Sequence, residues 1–473
     1  MELLTHAGRD RSRLLAVAES GEQYTWGDLE AAAETVYAAV GSRRLLFLLC
    51  ENTPETLLNY LACLRCGAVP LLLDAHVPPE LLSRLMERYH PSFLCVPRDW
   101  AGRSRPIPGE ARREMELNGC RLIATGLAPE PILHPSLALL LSTSGSTGSP
   151  KLVRLSAKNL SANAGSIASY LRLTAEERPV ANLPMSYSYG MSVINSHIWA
   201  GAPVVLTGRS VLEREFWSLL RREGVTSLAG VPYTYQMLRR LGLMEMDLPR
   251  LGYLTQAGGR IPPELQREFA AWAERTGRQF YVMYGQTEAG PRMGYLPAER
   301  AAEKCGSIGL AIPGGRFTLE DEDRRQIDAP DRVGELVYAG DNVALGYAET
   351  AEDLDRGDEW GGVLRTGDLA HRDTDGYYYI AGRKKRFVKL YGNRVGLDEL
   401  EGLLAHGFPG IAFACAGGDD ALRIFAESGD ETLPRRAAEY LAESTRISAA
   451  AFQVCLMARL PRSPSGKLLY AAL

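Results

Sequence analysis

The sequence predicts an α/β protein in which helices alternate with the strands of a parallel sheet. Residues 30–40 form an Ala-rich helical pattern, and the apolar run 44–49 is typical of a buried strand. A helix-like stretch over 54–66 and a strand-like stretch over 68–73 follow. Because strands that alternate with helices of this length pair in parallel, the pattern predicts layered α/β architecture.

A different pattern towards the C-terminus predicts antiparallel structure and a smaller domain. The pair Asp375-Gly376 indicates a hairpin turn before a strand that ends at Gly382-Arg383. We expect the small domain to begin after this strand. The charged run 320–325 is predicted to be a solvated hairpin turn. Residues 97–135, rich in Pro, Gly and Arg, are predicted to be an excursion before the loop rich in Gly, Ser and Thr that begins near residue 142.

Composition and charge exclude several classes of protein. The 473 residues suffice for roughly two to four domains, and 46% hydrophobic with 23% charged residues is ordinary globular usage. A net charge of −4 gives no basis for a nucleic-acid partner. With no apolar run as long as a membrane span and no signal-like N-terminus, we expect a cytoplasmic protein without a membrane span.

The eight cysteines are scattered, which favours reduced thiols over a disulfide framework. Cys63 and Cys66 have the spacing of a redox or zinc motif, but they continue the helix-like stretch and no second pair exists. We interpret them as helix-face or core cysteines. No His/Cys cluster indicates a tightly held transition metal.

A loop rich in Gly, Ser and Thr follows the strand-like run 137–141 and predicts a phosphate-binding site. Glycines let the backbone approach an anion, hydroxyls add donors, and a lysine adds a point charge. The loop is not a Walker A motif because it contains no Gly-Lys dipeptide. The residues predicted to bind phosphate are Thr143, Ser144, Gly145, Ser146, Thr147, Gly148 and Lys151.

Further short motifs follow this loop in a fixed order. They are 256–260 (Gln-Ala-Gly-Gly-Arg), 284–288 (Tyr-Gly-Gln-Thr-Glu), 334–337 with 346–347, 366–368 (Thr-Gly-Asp), 382–385 (Gly-Arg-Lys-Lys) and 461–467, which ends in Gly-Lys. The series resembles the signatures of the adenylate-forming enzymes, which include acyl-CoA and aryl-CoA synthetases, peptide-synthetase adenylation domains and luciferases. Among these, the chain is most similar to acyl-CoA synthetases, and the ordered series covers most of its length.

The resemblance implies a two-domain architecture. Residues 1–383 would form a large AMP-binding domain of layered α/β subdomains plus a β-barrel-like subdomain. Residues 384–473 would form a small mobile α+β domain that swings about a hinge near Lys385.

The resemblance also assigns nucleotide-binding roles. The adenine side would be bound by Gly258, Gly259, Arg260, Tyr284, Gly285 and Gln286. Glu288, with Thr287 beside it, would hold Mg²⁺, a hard cation that prefers carboxylate and phosphate oxygens. Asp368 would accept the ribose hydroxyls because an ionised carboxylate is acceptor-only, and Arg383 would support that contact.

Lysine usage supports the importance of the motif lysines. Only seven of the 53 basic residues are lysine, and three of these seven are Lys151, Lys385 and Lys467. A compact ammonium on a flexible stem therefore has a specific use at these positions. By resemblance, Lys467 would be catalytic together with Thr287 and Glu288, bridging the substrate carboxylate and the nucleotide.

The predicted acid pocket departs from the family pattern. Acyl-CoA synthetases commonly carry His where Tyr187 stands, so Tyr187 is either an aromatic gate or a core residue. Amino-acid-activating domains carry an Asp where Gly190 stands, and without it an α-amino acid substrate is disfavoured. His197 lies in a helical pattern and is interpreted as a structural histidine rather than a base. The predicted pocket comprises Tyr187, Ser188, Tyr189, Gly190, Tyr233 and Ala257.

Three other positions depart from the family pattern. Leu152 follows Lys151 where many relatives have Gly, and Lys385 stands at a hinge position often filled by Asp. Tyr470 stands where a basic residue commonly follows the catalytic lysine, which leaves the acceptor open.

These observations predict an ATP-dependent ligase that converts a small carboxylic acid into an acyl-adenylate and transfers it to a thiol. CoA or the phosphopantetheine of an acyl carrier protein is the expected thiol, because residues 389–395 resemble the family segment that enters the site after the swing. An amide synthetase with an amine acceptor is an alternative. A regulatory nucleotide-binding protein without catalysis is another, although the retention of Lys467 argues against it.

Overall fold

The computed structural model describes residues 2–5, 10–100, 113–142, 151–384, 386–390, 393–418, 421–445, 447–462 and 468–473. The chain divides into two compact units. The first contains the described residues within Met1–Gly145, Ser149–Arg316 and Ala339–Leu364, and the second those within Phe317–Tyr338 and Arg365–Leu473. The predicted domain boundary between residues 383 and 384 stays a prediction.

The described residues form ten α-helices. They are α1 (Trp26–Ala39), α2 (Pro54–Cys66), α3 (Pro79–Tyr89), α4 (Ala157–Leu171), α5 (Ser188–Ala200), α6 (Arg214–Glu223), α7 (Pro232–Arg240), α8 (Pro263–Arg275), α9 (Leu397–Gly407) and α10 (Leu433–Thr445). Among these helices, none combines the length and the apolar composition that crossing a bilayer requires.

The described residues up to Ala348 form nineteen strands. They are β1 (Leu14–Val17), β2 (Gln23–Thr25), β3 (Leu45–Cys50), β4 (Val69–Asp74), β5 (Phe93–Pro97), β6 (Glu114–Leu117), β7 (Cys120–Ala124), β8 (Leu137–Ser142), β9 (Leu152–Ser156), β10 (Val180–Ala181), β11 (Val204–Leu206), β12 (Ser227–Gly230), β13 (Tyr253–Gln256), β14 (Gln279–Gly285), β15 (Arg292–Leu296), β16 (Leu310–Ala311), β17 (Gly315–Glu320), β18 (Gly334–Gly340) and β19 (Gly346–Ala348). The remaining strands are β20 (Val363–Arg372), β21 (Tyr378–Arg383), β22 (Phe387–Leu390), β23 (Asn393–Gly396), β24 (Phe413–Gly418), β25 (Ala421–Glu427) and β26 (Gln453–Met457).

The largest sheet has eight strands in the order β19-β9-β8-β4-β3-β5-β7-β6. Its centre is parallel, as the alternation of strands and helices predicts, because β4 pairs in parallel with β3 and β8, and β3 with β5. Its edges are antiparallel. The predicted excursion over 97–135 is corrected in part: β6 and β7 form a hairpin within it that returns to the sheet edge. A short connection permits only antiparallel pairing, so this segment extends the core.

Cys63 and Cys66 lie on α2, as the sequence predicts. The helix begins where the Thr53 side chain accepts a hydrogen bond from the backbone of Thr56, with Pro54 in the first turn, and it ends at Gly67 in the left-handed conformation. Cys63 is fully buried in the core, and all eight cysteines are free thiols. No group of three metal-ligating side chains is found in the described part of the chain.

A five-stranded sheet in the order β12-β13-β14-β15-β16 carries two of the predicted nucleotide motifs. Strands β13 and β14 are parallel neighbours, and β14 and β15 pair in antiparallel fashion. The motif 256–260 follows the end of β13, and the motif 284–288 begins at the end of β14. Since parallel strands end at the same edge of a sheet, the two motifs are neighbours. A four-stranded sheet, β10-β11-β1-β2, completes the sheets of the first unit.

The second unit contains the predicted C-terminal hairpin and a compact core. Strands β20 and β21 pair around the turn at Asp375-Gly376, with Gly376 at a φ of +90°. The run 320–325 is a mostly exposed turn after β17, also as predicted. The predicted barrel-like subdomain corresponds to the sheet β17-β18-β20-β21, for which no closure is found among the described strands.

Towards the C-terminus, the strand pair β22-β23, the sheet β24-β25-β26 and helices α9 and α10 enclose an apolar core. Leu400 of α9, Ile424 of β25 and Leu441 of α10 are fully buried there. This mixture of helices and sheets agrees with the predicted α+β class of the C-terminal part.

Two glycines near β15 and β16 allow a matched test of backbone packing. Gly306 and Gly309 have φ values of +85° and +82°, which residues other than glycine rarely adopt. A Cβ on Gly309 would overlap the backbone of Tyr295, whereas a Cβ on Gly306 would meet nothing within 4 Å. Because Gly309 has no side chain, its backbone can lie close to the backbone of Tyr295 on β15.

We expect Gly306→Ala to cost about 1 kcal/mol from its left-handed backbone alone. Gly309→Ala should cost more than about 3 kcal/mol, because the strand backbone must also move. Thermal melting of the two variants measures the difference. Equal melting temperatures would show that β15 does not need this close approach.

Candidate active site

A series of contacts joins the predicted phosphate lysine to the predicted magnesium ligand. The ammonium of Lys151 lies 2.6 Å from a carboxylate oxygen of Glu349 and 5.5 Å from the ring centre of Tyr347. The Tyr347 hydroxyl donates a hydrogen bond of 2.6 Å to Oε1 of Glu288. Burial first, and then the neighbouring Glu288 carboxylate, raise the pKa of Tyr347, so its hydroxyl keeps its proton.

The backbone around Glu288 is fixed by neighbouring segments. Its carbonyl accepts a hydrogen bond of 2.9 Å from the backbone of Ala344. The buried side chain of Asn342 donates to the carbonyls of Ala289 and Arg292. A Cβ on Gly285 would overlap the carbonyl of Pro291, so only glycine fits at that position of the motif.

The same motif contacts the predicted acid pocket. The Thr287 hydroxyl lies 3.1 Å from the hydroxyl of Ser188, the first residue of α5. Helix α5 begins without a side-chain cap among the described residues. Tyr284 is half-buried, and the side-chain amide of Gln286 lies 3.5 Å from its hydroxyl.

The glycine turn at 256–260 packs closely against both the pocket and α7. A Cβ on Gly258, whose φ is +80°, would overlap the hydroxyl of Tyr187. A Cβ on Gly259 would lie 3.1 Å from Pro232, next to the half-buried Tyr233. Ala257 is buried and Arg260 is exposed.

Gln256 leads into this turn and is completely buried. Its side-chain amide donates to the carbonyls of Ala257 and Gly259. Its Oε1 has no partner among the described residues, so an acceptor remains at this turn.

Tyr187 and Tyr189 form the aromatic part of the predicted pocket, with ring centres 6.2 Å apart. Tyr189 is buried, and its hydroxyl is 2.8 Å from the carbonyl of Thr255. Burial is the main cause that raises the pKa of Tyr189 to about 12. Gly190 packs against backbone, because a Cβ there would overlap the carbonyl of Pro184. Tyr187 is half-buried beside the glycine turn, so the choice between gate and core residue stays open.

Arg292, which no sequence motif singled out, lies on β15 beside this pocket. Its guanidinium carbon is 4.5 Å from the ring centre of Tyr189, and its Nη2 donates 2.9 Å to the hydroxyl of Ser192 on α5. Only 2% of the residue is exposed. The available signal was a charged residue in an otherwise apolar strand, directly after the motif 284–288.

Asp368 and Arg383 lie together in the second unit. They are directly paired across β20 and β21, and Arg383 Nε is 3.0 Å from Oδ1 of Asp368. Asp368 is 3% exposed, and its backbone N–H donates to the hydroxyl of Thr366. Arg383 is therefore the ion-pair partner of Asp368, and the roles of both residues towards a ribose stay predictions.

Tyr470 belongs to a half-buried ionic cluster of the second unit. Its ring lies 3.9 Å from the guanidinium carbon of Arg386, and its hydroxyl donates 2.9 Å to Glu401. Arg386 also binds Asp398. Burial raises the pKa values of Glu401 and Asp398 against the opposing effect of Arg386. The tyrosine at this unusual position thus completes a packed charge network.

His197 is a structural histidine, as the sequence predicts. It is 2% exposed on α5, its Nδ1 donates 2.7 Å to the carbonyl of Val193, and its Nε2 accepts a hydrogen bond of 2.7 Å from the Tyr253 hydroxyl. This pattern requires a neutral ring. Burial lowers the pKa of His197 to about 4.

Several predicted residues lie outside the described residues. They are Thr143, Ser144, Gly145, Ser146, Thr147, Gly148, Lys385 and Lys467. The strand residues that flank the phosphate loop are described: Ser142 and Leu152 pair across β8 and β9, and Leu152 is fully buried.

The fold and the neighbouring motifs define the class of nucleotide-binding α/β enzymes. The chain belongs to the AMP-binding enzyme family, which it matches over residues 4–348. It is 30% identical to the sulfoacetate–CoA ligase of Cupriavidus necator, covering 97% of this chain and 93% of that protein. It is 29% identical to novobiocin biosynthesis protein H of Streptomyces niveus, covering 88% of this chain and 71% of that protein.

Solved structures show the same fold. The o-succinylbenzoate coenzyme A synthetase of Bacillus subtilis, in complex with ATP and a magnesium ion, superposes with a TM-score of 0.78. The comparison covers 99% of this chain and 98% of that chain at 24% identity. The ATP-bound MatB of Rhodopseudomonas palustris gives a TM-score of 0.76 at 23% identity, over 98% and 96% of the two chains.

We predict that His197→Gln reduces the acid sensitivity of folding. In the fold the pKa of His197 is about 4, below the value near 6.5 of an unfolded histidine, so the unfolded state binds a proton first as the pH falls. The contribution of His197 to the free energy of unfolding is complete above pH ~6.5 and is lost as the pH falls towards ~4. The loss amounts to about 2 kcal/mol at pH ~5. Melting temperatures between pH ~7.5 and ~5 measure this loss.

The exposed His76 provides the matched control, because its side chain is 85% exposed. His76→Gln should keep the pH dependence of the unmodified protein. If His197→Gln also keeps the pH dependence of the melting temperature, the buried neutral ring of His197 is not the cause of that dependence.

Proposed function

We propose that this chain activates a small-molecule carboxylic acid with ATP, forming an acyl-adenylate and pyrophosphate, and then transfers the acyl group to a thiol. It is an AMP-forming acid–thiol ligase of the acyl-CoA synthetase type, in keeping with its family and with relatives named as CoA ligases over nearly its whole length. The observation that carries the proposal is the series of contacts from Lys151 through Tyr347 to Glu288, with Thr287 next to Ser188 of the acid pocket.

The first step brings two anions together, so the site must neutralise them. Lys151 supplies a positive charge at the end of the predicted phosphate loop, and the hydroxyls of Thr143, Ser144, Ser146 and Thr147 supply donors. The loop glycines Gly145 and Gly148 let its backbone approach the β- and γ-phosphates.

The residues around Glu288 fit a magnesium ion. The Tyr347 hydroxyl occupies one lone pair of the Glu288 carboxylate and orients it, and the half-buried side chain keeps acceptor capacity for a hard cation. Bound Mg²⁺ would neutralise charge on the phosphates of ATP.

The adenine is assigned to the turn at Gly258, Gly259 and Arg260 and to Tyr284, Gly285 and Gln286. The ribose hydroxyls are assigned to Asp368, which forms an ion pair with Arg383. Lys467 is assigned to the bridge between the substrate carboxylate and the nucleotide. The acid itself is assigned to the pocket around Tyr187, Ser188, Tyr189, Gly190, Tyr233 and Ala257.

The proposal also includes the thiol that accepts the acyl group and the cellular location of the reaction. CoA is the acceptor we propose first, and the phosphopantetheine of an acyl carrier protein second, with residues 389–395 guiding the thiol after rotation about Lys385. We also propose that the reaction takes place in the cytoplasm. A library of acids is first tested for acid-dependent pyrophosphate release. The acids that respond are then incubated with CoA, with a carrier protein that bears a free phosphopantetheine thiol, or with a panel of amines, and detection of the thioester or amide product distinguishes these acceptors from those of an amide synthetase.

We expect Glu288→Gln to raise the Mg²⁺ concentration needed for half-maximal turnover by about tenfold or more. A neutral amide is a weaker ligand for a hard cation, although the side-chain size is unchanged. A titration of Mg²⁺ at saturating ATP measures this shift. Glu303→Gln is the control, because the Glu303 side chain is 57% exposed in a surface ion pair; an equal response of both variants would remove Glu288 from metal binding.

We expect Lys467→Ala to lower acid-dependent pyrophosphate exchange by about 100-fold or more while ATP affinity stays within about threefold. The lysine is assigned to charge that develops only as the acid attacks, so its loss affects the transition state more than the ground state. Exchange rates and nucleotide titrations on the same preparation measure both quantities. Lys158→Ala, at a surface ion pair with Asp341, is the control, and near-normal exchange in Lys467→Ala would exclude the lysine from this step.

A further inference from the structure

Arg292 is a buried cation beside the acid pocket, and it has no anionic partner in the part of the chain that the structure describes. Its Nη2 donates to Ser192, and its guanidinium lies over the face of Tyr189. Its Nε has no hydrogen-bond acceptor among the described residues, and no carboxylate of the described chain forms an ion pair with it. A buried charge of this kind is costly unless it is paired, so the site is prepared for an anion from outside the chain.

Arg154 lies in the same compact unit and is a buried arginine with a purely structural role. This side chain is fully buried, forms an ion pair with Glu359 and donates to the carbonyls of Tyr347, Gly357 and Leu345. Each of its nitrogens therefore has an acceptor. Arg292 is about as buried but contacts the hydroxyls of Ser192 and Tyr170 and a ring face in place of a carboxylate. Arg121 and Arg300 also have a buried Nε without an acceptor among the described residues, but each forms an ion pair, with Glu114 and Glu303 respectively. The distinguishing feature of Arg292 is therefore the lack of a carboxylate partner among the described residues.

The position of Arg292 connects it to the substrate rather than to the nucleotide phosphates. It lies between α5, which provides Tyr189 and Ser192, and β14, where it is paired with Gly285. The tyrosines near it are neutral, since burial raises the pKa values of Tyr170 and Tyr187 and Arg292 opposes this only in part. They can donate or accept hydrogen bonds, but they supply no compensating charge.

We propose that the acid activated by this chain carries a second anionic group, a carboxylate or a sulfonate, which is bound by Arg292 while the first carboxylate is adenylated. The inference rests on the proposed function and adds the class of its substrate. Arg292 acts as a specificity residue: the second anion pairs with the guanidinium and accepts from its Nε, and a neutral group of the same shape leaves the cation unpaired.

The test uses pairs of acids that differ in charge and little in shape. Malonate, succinate, glutarate and terephthalate are compared with their monoamides, and sulfoacetate with methylsulfonylacetate. Pyrophosphate exchange gives kcat/KM for each acid. In the unmodified protein, the best dianionic acid should exceed its neutral partner by at least about 30-fold, the ratio that corresponds to removing one partner of a buried charge pair.

Arg292→Met should abolish this preference. The long unbranched side chain fills the same space without charge, so kcat/KM for the dianionic acid should fall at least about 30-fold, mainly through KM, while the neutral partner is unaffected or improved. Arg292→Lys should retain part of the preference. Arg278→Met is the matched control, since Arg278 also lies over an aromatic ring, that of Trp272, but outside the pocket; it should leave the ratio unchanged.

Thermal melting separates a role in substrate binding from a structural role. Without acid, Arg292→Met should melt at the same temperature as the unmodified protein or higher, because an unpaired charge is removed from the core. The stabilisation by the dianionic acid in the presence of ATP should be lost in the variant. A lower melting temperature together with an unchanged preference would assign Arg292 to structure and overturn the inference.

The outcomes also separate this inference from the proposed function. If the unmodified protein activates neutral acids as well as dianionic ones, the substrate class is wrong and the ligase function stands. If no acid supports exchange, the ligase function fails. The shift of the melting temperature by dianionic acids then decides the inference: a shift that depends on Arg292 supports it, and no shift overturns it.

Discussion

The parallel pairing of β13 with β14 is the constraint on which the candidate site depends. Their carboxyl ends lie at one sheet edge, so the turn at 256–260 and the motif 284–288 become neighbours although many residues separate them in sequence. Helix α5 packs at this edge, with Ser188 next to Thr287 and the Tyr189 hydroxyl on Thr255. The antiparallel pairing of β15 with β14 then places Arg292 beside the same helix.

Glycines make this edge compact enough for small polar contacts to form. Gly285, Gly190 and Gly258 each lie where a Cβ would overlap a neighbour, and the three neighbours are Pro291, Pro184 and the Tyr187 hydroxyl. A larger residue at any of these positions would separate the motif strand, the pocket helix and the glycine turn. Motif glycines at this site are therefore required as much for packing between segments as for contact with a phosphate.

The charged side chains in the interior of the protein differ in whether they are paired with a side chain of opposite charge. Arg154 and Arg386 are balanced by carboxylates, Glu359 in the first case and Asp398 with Glu401 in the second. Asp368 is likewise paired with Arg383. Among the described residues, Arg292 is the contrasting buried cation, which has no carboxylate partner, and Gln256 Oε1 is an acceptor without a hydrogen-bond donor. Structural charges are neutralised within the chain, while groups at the candidate site keep capacity for a ligand.

The sequence by itself determined the α/β class, the helix over 54–66, the hairpin at Asp375-Gly376 and the identity of the motif residues, because hydrophobic periodicity and turn chemistry are local properties. It also indicated the structural role of His197. Only the tertiary structure decided that residues 114–124 return to the large sheet as a hairpin and that Tyr347 orients Glu288. It also decided that Tyr470 completes the Arg386 network and that Arg292 lies over Tyr189 with no carboxylate partner among the described residues. These features depend on contacts between segments far apart in sequence, and no local pattern records whether a charged side chain meets a partner once it is buried.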